Sequence, residues 1–175
     1  VRRQIAYLAV TLAVTSLIAM ALSVGAAAVQ AGRDESRNVD LIVAVAPAVP
    51  PQSFVDHCFE LYRRGYGDRL VLVGPGSEGL GTALRERGVA EDGLTVAAEP
   101  GGETAQLRGA LAAARAAGAS SVLIAGDGAE MLRWLKLAGD EGLRSYAAPA
   151  PGDGPGPLAL LGAGARYWGF VLLGR

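Results

Sequence analysis

From Ile5 to Val29 the chain runs for 25 residues without a charged side chain, directly after Arg2 and Arg3. At 1.5 Å per residue, roughly 20 helical residues cross the hydrocarbon core of a bilayer, so this run predicts a spanning helix and a membrane partner through residues 5–29. A basic pair before an apolar helix favours a cytoplasmic N-terminus. The expected localisation is therefore the cell membrane, single-pass, with the remaining chain extracytoplasmic. Two other readings stand beside this one. Ala26 to Ala28 and Val29-Gln30-Ala31 resemble the small-residue cleavage site of a secretory signal, although the run exceeds the roughly 7–15 apolar residues usual there. A buried core helix would need protein on every side, because no polar face interrupts the run.

Setting Arg2 and Arg3 aside leaves 14 of the 16 basic residues against all 17 acidic ones, a net charge of −3 on residues 32–175. That balance excludes a broadly cationic surface of the kind that neutralises phosphates, so no nucleic-acid partner is expected. Cys58 is the single cysteine, which excludes an intrachain disulfide and a cysteine-rich zinc site. Among Phe54, Phe59 and Leu61 it reads as a buried thiol.

The chain divides into a cytoplasmic flank and anchor over residues 1–31, a polar linker over 32–38 and one folded domain over 39–175. Short apolar runs at Val39–Ala46, Arg69–Val73, Leu94–Ala98, Ser121–Ala125 and Arg144–Ala148 predict strands. Helical periodicity covers Gln52–Arg64, Ser77–Arg87, Glu103–Ala117 and Ala129–Ala138. Runs such as Leu41-Ile42-Val43 and Leu70-Val71-Leu72-Val73 suit strands covered on both faces. Strand and helix alternating in this way predict an α/β domain with a doubly wound, mostly parallel, Rossmann-like sheet. Four prolines and three glycines between Pro149 and Pro157 predict a loop, and Leu158–Leu173 a helix that closes on the sheet and is not a second span.

In such folds ligands gather at the carboxyl ends of the strands, beside helix N-termini that attract anions. The loops there include Gly74-Pro75-Gly76-Ser77, Glu99 to Thr104 and Gly126-Asp127-Gly128. No Walker loop is present, and no Gly-x-Gly-x-x-Gly follows the first strand; Gly74, Gly76 and Gly79 follow the second. Taken singly, these glycines also suit plain turns. Glu99, Glu103 and Glu130 are candidate catalytic carboxylates. Gly76, Ser77, Thr104, Asp127, Gly128 and Arg133 are candidate ligand-binding positions. His57, the single histidine, cannot build a histidine-rich metal site, and no metal is expected. No serine sits in a Gly-x-Ser-x-Gly elbow.

The order of segments from about Val39 onward resembles the YdcF/SanA-like family of bacterial membrane-associated envelope proteins. Asp40 before Leu41-Ile42-Val43 resembles that family's Asp before its first strand, and Cys58 to Gly65 resembles its Ala-x-x-Leu-Tyr-x-x-Gly helix end. Arg69 to Gly76 is similar to its basic residue, strand and glycine turn. Glu99 and Thr104 resemble the Glu and the Asn-Thr pair after the third strand, and Glu130 to Arg133 its His-x-x-Arg. The departures fall together: Ala46-Pro47 replaces a glycine pair, Gly74-Pro75-Gly76 replaces Ser-Gly-Gly, Glu103 replaces the Asn and Glu130 the His. An amide, a hydroxyl and an imidazole are thereby lost from the pocket.

The resemblance implies a membrane-anchored domain in cell-envelope maintenance, with an anionic small molecule at the strand ends balanced by Arg133. It leaves room for a nucleotide-like or S-adenosylmethionine-like ligand, and the residues name no cofactor. Two alternatives are a non-enzymatic scaffold contacting an envelope protein and an envelope hydrolase or transferase using Glu99 or Glu103 as base.

Overall fold

The computed structural model describes residues 2–97, 101–152 and 154–173. The charge-free run forms α1, Arg2–Ala31. Its 30 residues make a rod of about 45 Å, and it is long and apolar enough to cross a membrane. Leu8, Leu12, Leu17 and Leu22 stand outward, each about 70% exposed.

Five strands follow: β1 Leu41–Val45, β2 Leu70–Val73, β3 Leu94–Val96, β4 Ser121–Gly126 and β5 Arg144–Pro149. They form one all-parallel sheet in the order β3-β2-β1-β4-β5. Between them run α2 Gln52–Arg63, α3 Ser77–Glu86, α4 Glu103–Ala116 and α5 Met131–Asp140. The expected α/β, Rossmann-like arrangement is thus present, with β1 to β3 shorter than their apolar runs and β4 and β5 extending one residue past theirs.

Period-two alternation explains why the strands look uniformly apolar. Val43, Val45, Val122 and Ile124 face α4 and α5 through Leu107, Leu111, Met131, Trp134 and Leu137. Ile42, Ala44 and Leu123 face α2 and α3 through Phe54, Cys58, Leu61, Leu80 and Leu84. Both faces being covered, every residue of β1 and β4 is buried.

One expectation is corrected. The last helix, α6 Pro157–Leu173, does not close on the sheet. It packs chiefly along α1 and the side of α5, with Phe170 reaching into the domain core. Gly164 permits the close approach: a Cβ there would lie 3.1 Å from Val24 Cγ2 and 3.4 Å from Met20 Sδ. The polar stretch over residues 32–38 packs along the sheet. The Glu35 N–H donates to the Ala147 carbonyl at 2.8 Å, the Ala147 N–H donates to the Glu35 carboxylate at 3.4 Å, and the Arg37 guanidinium lies 4.2 Å from the centre of the Tyr146 ring. These contacts cover the exposed edge of β5, which would otherwise offer unpaired backbone groups.

At the opposite end of the sheet, Asp40 staples β1 to β4. Its Oδ2 accepts from the Ser120 and Ser121 amides at 2.8 and 2.9 Å and from their hydroxyls at 2.9 and 3.0 Å. These bonds to the ionised form, led by the Ser120 amide, lower its pKa to about 2 from an ordinary 3.8. A depressed carboxylate pKa gives stability that is complete above the unfolded value and lost as pH falls through the folded one. Asp40→Ala is therefore expected to lower the urea midpoint at pH 7 and to flatten its decline between about pH 4 and pH 2. Parallel pH profiles for the two proteins would contradict the staple.

Candidate functional site

The strand order reverses direction between β1 and β4, and a ligand crevice belongs at that switch point, beyond the strand carboxyl ends. A cavity of about 550 Å³ lies there. Its walls come from the loop after β1 (Pro47, Val49, Pro51), the turn after β4 (Gly126 to Glu130), the proline-rich loop after β5 and the start of α4 at Glu103. Ala31, the last residue of α1, also lines it. The crevice thus opens where the apolar helix meets the domain.

Two glycines make this junction possible. A Cβ on Gly128 would stand 2.9 Å from the Ala31 carbonyl oxygen, and one on Gly126 only 2.5 Å from the Trp134 ring. Gly128 therefore admits the end of α1, and Gly126 admits the indole that floors the site.

Along one wall runs a chain of alternating charges. Arg133, 12% exposed, donates Nη2 to Glu103 Oε1 at 2.9 Å, Nη1 to Thr104 Oγ1 at 2.6 Å and Nε to Glu130 Oε2 at 2.9 Å. Trp134 Nε1 donates to the same Glu103 oxygen at 3.2 Å. The other oxygen of Glu130, a residue 8% exposed, accepts from Arg166 Nε at 2.7 Å and from Arg166 Nη2. Arg166 belongs to α6, so Glu130 ties the last helix to the first turn of α5. The pair Glu103 and Glu130 separates the large cavity from a shallower one of about 500 Å³, lined by Gly102, Thr104, Arg133 and Arg166.

Glu103, Thr104, Glu130 and Arg133 are thus brought together, and Asp127 and Gly128 line the same crevice. Asp127 is exposed, and its Oδ1 accepts from the Ala129 amide at 2.9 Å, which shapes the turn. Gly76 and Ser77 lie outside the crevice. A Cβ on Gly76 would collide with the Pro47 carbonyl, so that glycine is required by the crossing of the β1–α2 loop. Ser77 is buried at the start of α3. Glu99 lies outside the described residues.

His57 and Cys58 stand apart from the crevice walls. The His57 Nε2–H donates to the Ala148 carbonyl at 3.2 Å, and burial lowers the imidazole pKa. Cys58 is fully buried, and burial pushes its thiol pKa up, so it is inert.

Sequence reasoning missed Arg166, Trp134 and Ala31. For Arg166 a signal existed: it is the lone charge in an apolar segment, and such a charge requires a partner. Ala31 carries no such mark, since its role comes entirely from where α1 ends. Comparison of the sequence with protein-family models finds no match, and comparison with curated proteins finds none either.

Removing the charge of Glu130, whose side chain is 10% exposed, leaves two guanidinium groups without their carboxylate. Glu130→Gln is expected to cost about 2–3 kcal/mol, the loss of charge-assisted bonds on both sides. Glu103→Gln, one-third exposed, is expected to cost less. Urea denaturation of the full chain in detergent micelles checks the order; equal losses would show that Glu130 bears no greater share.

Proposed function

We propose that this chain is a membrane-anchored, extracytoplasmic binding domain of the YdcF/SanA-like type, acting in cell-envelope maintenance without catalysis of its own. The observation that carries the non-catalytic reading is the engagement of Glu103, Glu130 and Arg133 by one another. In a proton-transfer site, a carboxylate must be within reach of the reacting proton and free to take it. Here both oxygens of Glu130 already accept from guanidinium groups, and Glu103 holds Arg133 and Trp134. The positions where the family's pattern has Asn and His both carry carboxylates in this chain, and both pair with Arg133. The substitutions convert a donor-rich pocket into a structural clamp.

The crevice suits a partner with an apolar part. Val45, Pro47, Val49, Phe54 and Trp134 supply apolar lining, and Glu103, Asp127 and Glu130 supply an acidic rim. An anion has to draw Arg133 away from three existing bonds, so the rim favours a neutral or cationic group, on a small molecule or on an envelope protein. The extracytoplasmic placement rests on Arg2 and Arg3 before α1.

Complementation of a host lacking this protein, scored by envelope sensitivity at matched protein levels, tests the reading. Glu103→Gln is expected to complement, because no proton transfer depends on it. Val49→Trp, which fills the crevice from a residue 84% exposed, is expected to fail. Loss with Glu103→Gln and retention with Val49→Trp would instead support an envelope hydrolase or transferase. A reporter fused after Arg175 that is active only in the cytoplasm would overturn the topology.

A further inference from the structure

The outward face of α6 carries Leu158, Leu161, Ala165 and Leu172, spaced three, four and seven residues apart, and all four are exposed. Such a stripe on a water-facing helix would ordinarily be polar. The inward face, through Ala163, Gly164 and Phe170, is buried.

For Gly164 and Trp168 the neighbour on that inward side is the apolar helix itself, while Phe170 reaches into the domain core. Gly164 meets Met20 and Val24, and Trp168 Nε1 donates to Ser23 Oγ at 2.7 Å. Those three residues of α1 lie inside the charge-free run of residues 5–29. The Ser23 hydroxyl and the Trp168 indole pair between the two helices: Ser23 Oγ accepts from the indole and donates to the Ala19 carbonyl at 2.8 Å. Arg166, the one charge on α6, is held by Glu130. A helix in lipid must meet these conditions, with its polar groups satisfied by protein and small residues where it touches its neighbour.

We propose that α6 is embedded in the bilayer beside α1, with lipid acyl chains covering its Leu158–Leu161–Ala165–Leu172 face. Its 17 described residues make about 25 Å, against a hydrocarbon core of roughly 30 Å. Tyr167 and Trp168 are residue types that favour the lipid–water boundary. The protein would then hold the bilayer through two helices, with the charge clamp of Glu130 at the point where they join the domain. The inference rests on α1 being a membrane helix, and the experiment separates the two.

The full chain is reconstituted into phosphatidylethanolamine/phosphatidylglycerol vesicles with a nitroxide at one introduced cysteine: Leu161→Cys or Leu172→Cys on α6, Leu12→Cys on α1, or Glu86→Cys on the exposed surface of α3. Cys58 is fully buried and stays unlabelled. Collision with oxygen, which concentrates in lipid, is compared with collision with a water-soluble nickel chelate. The oxygen-to-nickel ratio is expected to be several-fold higher at Leu161, Leu172 and Leu12 than at Glu86. A high ratio at Leu12 with Glu86-like values at both α6 sites would overturn the embedding of α6 and leave the α1 span standing. Glu86-like values at all sites would overturn both.

Discussion

Glu130 is held between two arginines from different parts of the chain, and the placement of the last helix depends on that contact. Arg133 approaches from the same helix, one turn on, and Arg166 from α6. A carboxylate this buried is costly unless both oxygens are engaged, and each arginine engages one. The clamp fixes α6 against the turn after β4. Through Gly128 the same turn receives Ala31 at the end of α1. Beside their packing on α5, the apolar helices thus reach the domain at Gly128 to Glu130, and the crevice at the switch point opens at that junction.

The sheet supplies the frame for this junction. Because β1 and β4 are central and fully buried, their carboxyl ends are rigidly placed, and the loops that follow them can only diverge to opposite sides. Asp40 secures the far ends of the same two strands. One strand pair is therefore fastened at one end by a carboxylate on serine amides and, at the other, leads into a carboxylate between guanidinium groups. The linker covers the edge of β5, so a chain that leaves α1 at the top of the sheet reaches the start of β1 at its foot without leaving an open edge.

Much of this was legible in the residues. Runs such as Leu41 to Val45 suit burial on both sides, and together with the alternation of strand and helix they imply a mostly parallel sheet. Glu103, Thr104, Glu130 and Arg133 were legible as a group because all follow strand ends, which topology brings together. The course of α6 was not. Its apolar residues are equally compatible with a sheet and with another helix, and what decides between them is the absence of a side chain at Gly164, opposite Met20 and Val24. Gly76 reads in sequence as a loop glycine open to a ligand, whereas its space is taken by the Pro47 carbonyl. Close backbone approaches of this kind involve residues far apart in the chain, so no local pattern records them.

The central claim, that Glu130 couples the terminal helix to the domain, is tested most directly by a double-mutant cycle between Glu130→Gln and Arg166→Met in detergent-solubilised full chain. Two residues in direct contact should show non-additive effects, and a coupling energy of about 1 kcal/mol or more is predicted. Additivity within about 0.5 kcal/mol, the behaviour of independent sites, would contradict the account.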